Sequence, residues 1–133
     1  MSCSSAICTV NSSTTALEAN SQIPFGTTVR RFGKAINQDA GSILLTQRGY
    51  YDVAISLDVS PEAAGDITAQ LFVNGQALEG ASATQTVAEA DNTANLYINY
   101  LVRLCACDTT DILSVKLQDA GTVSRMSTVV TKV

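Results

Sequence analysis

The chain predicts an all-β fold, an antiparallel two-sheet sandwich of jelly-roll type, and three observations carry that expectation. The first is Gly49–Val59, where Tyr51, Val53, Ile55, Leu57 and Val59 alternate with Tyr50, Asp52, Ala54, Ser56 and Asp58. Side chains of an extended chain point to opposite faces with period two, so this is a half-buried strand with its β-branched and aromatic set inward. The second is Asn95–Leu104, where Leu96, Ile98, Tyr100, Val102 and Leu104 share one face and Tyr97, Asn99, Leu101 and Arg103 the other. The third is the punctuation. Turn residues recur about every 8–12 positions with no amphipathic helix of useful length between them, which predicts about eight to ten short strands.

In order, Ala6–Val10 reads as a short first strand and Asn11–Thr15 as a Ser/Thr-rich loop. Pro24 opens an extended stretch where a missing N–H is tolerated, and Gly26 and Gly33 bracket a strand at Thr27–Phe32. Asn37–Gly41 has turn composition and precedes the strand Ser42–Thr46. After the central strand, Ser60–Gly65 has a capping serine, a proline and a terminal glycine, which permits one helical turn. Asp66–Val73 alternates again, and Asn74-Gly75 is the sharpest hairpin signal, since both residues accept the positive φ of a type I′ turn. Gln76–Leu78 and Ser82–Val87 read as strand, Ala88–Ala94 as a polar loop and Asp108–Thr110 as a turn. Asp111–Gln118 and Thr122–Val133 are the last two strands, with Asp119–Gly121 turning between them.

The 133 residues make a single domain spanning 1–133, long enough to bury roughly two-thirds of its unfolded surface. Residues 1–20 are either part of the sandwich or a partly separate arm. Only 15% of residues are charged, against about 25% in an ordinary globular protein. A surface this poor in charge points to coverage by other chains, or to one wetted by Ser, Thr, Asn and Gln. The net charge of −4 argues against nucleic acid as a partner, and Arg30-Arg31 is the one basic pair. No apolar run is long enough for a membrane helix, and the first residues do not resemble a secretory signal.

Catalysis is not expected. The chain has no histidine, so triads that use an imidazole base cannot form within it. Asp52 and Asp58 are about 20 Å apart along a strand, too far for paired acid–base work on one bond. Asp108 and Asp111 read as turn-capping residues rather than calcium ligands. Cys3, Cys8, Cys105 and Cys107 remain open to three states: reduced thiols, disulfides between the N-terminal segment and the end of the second long strand, or a four-cysteine zinc site. The Cys-x-x-Cys spacing usual for structural zinc is missing. No cofactor and no metal are expected.

Three stretches resemble the tumour necrosis factor-like and complement-type globular-head jelly rolls: Gly49-Tyr50-Tyr51-Asp52-Val53, Leu71-Phe72-Val73-Asn74-Gly75, and Cys107-Asp108-Thr109 before Leu113-Ser114-Val115. Cys107 stands where that family usually has glycine. The resemblance implies a homotrimer in which the sheet holding the two long strands and the chain termini faces the threefold axis. Tyr50, Ala54, Tyr97, Leu101 and Arg103 are then the interface candidates. It also extends to accessory virion proteins of bacteriophages and prophages, such as head fibres and decorations. The expected function is therefore a non-enzymatic trimeric structural protein that mediates attachment. It would be made in the bacterial cytoplasm and carried in the virion, with capsid or tail proteins or a host-surface ligand as partners. The alternative is a receptor- or glycan-binding adhesin module of the same fold, with Ser60–Asp66 and Ala88–Ala94 as its ligand loops.

Overall fold

The computed structural model describes residues 5–12, 14–39, 42–89, 92–104 and 111–133. Among these residues twelve strands form two antiparallel sheets: β1 (Ala6–Asn11), β2 (Thr15–Leu17), β3 (Ser21–Ile23), β4 (Thr27–Phe32), β5 (Ile36–Asp39), β6 (Ser42–Leu45), β7 (Gly49–Pro61), β8 (Gly65–Val73), β9 (Gln76–Val87), β10 (Ala94–Leu104), β11 (Asp111–Leu117) and β12 (Gly121–Lys132). The first sheet runs β10-β7-β12-β1-β4 with β2 beside β12, and the second runs β5-β6-β11-β8-β9 with β3 beside β11. The count exceeds the expected eight to ten because β2 and β3 are three-residue strands, too short to show a period. Both long strands and both chain-terminal strands share the first sheet, the arrangement that the sequence resemblance implies.

The core lies between the sheets. Tyr51, Val53, Ile55, Leu57 and Val59 of β7 are fully buried, and they face Ile67, Ala69 and Leu71 of β8 and Leu113, Val115 and Leu117 of β11. The period-two reading of the central strand therefore holds over its whole length. Each such aliphatic side chain stabilises the fold by about 1.5–3 kcal/mol. Side chains close one flank of the sandwich: Arg31 Nε donates to the Ile36 carbonyl at 2.8 Å, and the Thr28 hydroxyl donates to Gln38. On the other flank the Asn95 backbone N–H donates to Gln85 Oε1 at 3.2 Å.

Several local expectations are corrected. Residues 36–39 form β5 rather than opening a turn: Ile36 is fully buried opposite Leu45, and Arg31 holds both its carbonyl and the Asn37 side chain. Ser60–Gly65 has no helical turn, because β7 continues to Pro61 and the Glu62 N–H donates to the Ala120 carbonyl at 3.0 Å. Gln76–Leu78 and Ser82–Val87 are one strand, β9, with a register shift opposite Gln70. The Gln70 amide occupies that irregularity, donating to the carbonyls of Leu78 at 2.7 Å and Ala81 at 3.2 Å. Ala94 belongs to β10, opposite Val59. Asn74 and Gly75, at φ 53° and 82°, make the expected hairpin. The Asp108–Thr110 turn lies outside the described residues.

Tyr51 links this core to pH. Burial raises its phenol, whose hydroxyl donates to the Gln47 carbonyl, above the ordinary value of 10.0, and the Asp111 carboxylate adds to the rise. The net shift is upward, so the folded state holds the proton more tightly than the unfolded chain. That contribution is complete below pH 10 and is lost as pH rises through the folded value. Thermal melts above pH 10 should therefore fall with pH more steeply in the wild type than in Tyr51→Phe. Parallel curves would remove Tyr51 as the cause.

Candidate assembly face

The two long strands pair along their full length, and their register decides which outward side chains become neighbours. Arg103 lies opposite Tyr50, Leu101 opposite Asp52, Asn99 opposite Ala54 and Tyr97 opposite Ser56. Directly opposed residues share a face, so the five interface candidates Tyr50, Ala54, Tyr97, Leu101 and Arg103 all point away from the core on the first sheet. Tyr97 is 61% exposed, Leu101 53% and Tyr50 46%, and Ala54 is half-buried.

The face does not stop at these strands. Across β12, β1 and β4, Ala54 continues into Val129, Cys8 and Arg30, and Asp52 continues into Thr131, Ala6 and Phe32. Val129 and Phe32 are exposed, which puts five of the eight exposed large apolar side chains among the described residues on this one face. A sheet surface meant for water alternates polar residues outward, whereas this one carries an aromatic and aliphatic band across five strands. Sequence reasoning missed Val129 and Phe32. The adjacent pair Val129-Val130 was a usable signal, since consecutive apolar residues in a strand make both faces apolar.

The polar groups on the face are held in place. Asn99 Nδ2 donates to Asp52 Oδ1 at 3.1 Å and to the Val53 carbonyl at 3.2 Å. The Arg103 guanidinium lies 5.9 Å from the Tyr50 ring centroid, a cation–π contact that orients both. Cys8 is half-buried and makes no disulfide with a described residue. Cys3, Cys105 and Cys107 lie outside the described residues, so the pairing expected of the four cysteines falls outside them too. Among the described residues no cluster of three or more His, Cys, Asp or Glu could hold a metal.

The two loops marked in the sequence for ligands meet at the far end of the same sheet. Ser60 Oγ and Thr93 Oγ1 are 3.4 Å apart, and with Pro61, Glu62 and Glu18 they line an open polar groove.

No family model and no curated protein matches the sequence. Solved structures do match along nearly the whole chain. Eiger TNF from S. frugiperda superposes with a TM-score of 0.71 at 12% identity, over 97% of this chain and 91% of that one. The PRD1 vertex protein P5 gives 0.66 at 17% identity, over 97% and 96%. The globular domain of zebrafish complement 1qA gives 0.65 at 9% identity, over 92% and 94%. The chain has the tumour necrosis factor-like jelly-roll fold. Within this jelly roll the apolar band lies on the sheet that contains β1 and β12, the sheet the resemblance assigned to the threefold axis. Identities this low establish the fold alone.

Proposed function

We propose that this jelly roll is a non-enzymatic structural module that assembles as a homotrimer through the outer face of the β10-β7-β12-β1-β4 sheet. Its role in this reading is that of an accessory protein of a phage or prophage virion, a head fibre or decoration that mediates attachment. The observation that carries the reading is the exposed apolar band from Tyr97 and Leu101 to Val129 and Phe32. Copies of the chain that bury it remove apolar surface from water at about 25 cal/mol per Å², which a protein with few charges otherwise leaves wet. The virion role draws on the sequence resemblance and on the presence of a vertex protein among the structural neighbours.

Native mass spectrometry of the purified chain, with and without reductant, tests the assembly. The expected species is about three times 13.9 kDa in both conditions, since the apolar band needs no cross-link. A monomer at micromolar concentration would defeat the trimer. The second reading, an adhesin of the same fold, is favoured by the polar groove where Ser60–Glu62 meets Thr93. Specific hits on a glycan array that vanish in Thr93→Trp, whose indole would occupy part of that groove, would select it.

A further inference from the structure

The cations of this chain gather toward one end of the sandwich. Six of its eight Lys and Arg residues sit in the half where β7 begins, a half that also holds Asp52, Glu79 and Asp111. Arg30 and Arg31 lie in the last half of β4, Lys34 follows it, Arg48 precedes β7, Arg103 is near the end of β10, and Lys132 ends β12. Backbone contacts bind this end together. Ser5 accepts from the Lys132 N–H at 2.8 Å through its carbonyl and from the Ala35 N–H at 3.2 Å through its hydroxyl, and the Ala35 carbonyl accepts from the Thr46 N–H at 2.8 Å. Arg48 and Arg103 line one shallow depression with Gly49, Tyr50 and Leu104.

None of the six cations is ion-paired to a described carboxylate. The described ion pair, Arg125–Asp58 at 3.5 Å, belongs to the other half of the sheet. Asp111, the carboxylate described where β11 begins, accepts from Asn74 Nδ2 at 2.9 Å. The opposite end carries Glu18, Glu62, Asp66, Glu89 and Asp119, placed by the loops and strand ends after β2, β7, β9 and β11 and at the start of β8. The two ends are roughly 40 Å apart, the length of a thirteen-residue strand. That is several Debye lengths at physiological salt, so a docking surface at one end hardly feels the other.

We propose that the basic end is a docking surface for an acidic patch on a partner protein. A compact patch meets the cations that no described carboxylate holds and stays clear of the acidic end. An extended polyanion such as a nucleic acid or a sulfated glycan lies along the molecule and is repelled by a chain of net charge −4. Tyr50 among Arg48 and Arg103 also has the make-up of a protein contact, an aromatic centre with arginine at its margin. The surface shares Tyr50, Arg30 and Arg103 with the assembly face, so the test rests on the two cations outside it. Lys34 and Arg48 are outside the strands that form the assembly face, so they can be changed without touching it.

The test uses a short labelled glutamate peptide, no longer than the basic end is wide, as the probe and fluorescence anisotropy as the readout, with native mass recorded in parallel. The wild type should bind at low salt and lose at least tenfold in affinity between about 20 and 150 mM salt. K34Q/R48Q should weaken binding at least tenfold at unchanged native mass. The double variant A63E/A88E, which lowers net charge by the same two units at the acidic end, should keep it within about twofold. The proposal is overturned if the wild type does not bind, if the two variants lose affinity equally, or if heparin binds as tightly with the same sensitivity. A monomeric wild type that still shows the expected pattern would defeat the trimer and leave this docking surface standing.

Discussion

Leu101→Asp is expected to leave the chain folded and to collapse its native mass to a single copy of about 13.9 kDa. Leu101 is 53% exposed on β10, an edge strand, and lies on the face away from the core. Its removal therefore creates no cavity. Its only intramolecular cost is a second carboxylate opposite Asp52, about 0.5 kcal/mol for like charges facing each other on a sheet. In the proposed trimer the same carboxylate would be buried without a partner, at a cost of about 3–5 kcal/mol. The dissociation constant should rise by 100-fold or more. Ile112→Asp is the control, since Ile112 is 43% exposed but lies on the second sheet. Its mass should not change. A Leu101→Asp protein that stays fully assembled would move the contact to another surface.

Gly26→Ala should be severely damaging, lowering stability by about 2–5 kcal/mol and the melting temperature by roughly 10 °C. Gly26 sits at φ 89° between β3 and β4, and a Cβ there would lie 2.4 Å from the Val10 carbonyl oxygen and 2.6 Å from the Asn11 Cα. Both obstacles are backbone, and they belong to β1, which is pinned between β12 and β4. The methyl group can be accommodated only by moving a strand. Gly75→Ala separates strain from collision. Gly75 has a similar φ of 82° but nothing within 4 Å of the added atom, so it should cost only about 1 kcal/mol. Equal losses in the two variants would mean that backbone conformation alone sets the cost at Gly26.

Much of the architecture was legible because it is local. Alternation in Tyr51–Val59 and in Leu96–Leu104 depends only on the geometry of one extended chain, and it named the buried face of both long strands. Asn74-Gly75 announced its turn because positive φ is a property of those two residues. The parity of Tyr97 and Leu101 likewise put them outside the core without reference to any neighbour. β5 was hidden for the opposite reason. Asn37-Gln38-Asp39 has the composition of a turn, and it is a strand because Arg31 and Gln38 tie it to β4 from across the flank. The unbroken β9 was hidden too, since its irregularity is filled by Gln70 from the neighbouring strand.

The sequence alone therefore determined the long strands, their inward sides and the sandwich class, since each follows from the two-residue repeat of an extended chain. The tertiary structure decided the surface. Leu101, Asp52, Thr131, Ala6 and Phe32 form one row only because four pairings place them side by side. The same pairings gather Arg48, Arg103 and Lys132 at one end of the sheet. Register between strands is fixed by partners far apart in the chain, and no local pattern encodes which distant residue will lie opposite.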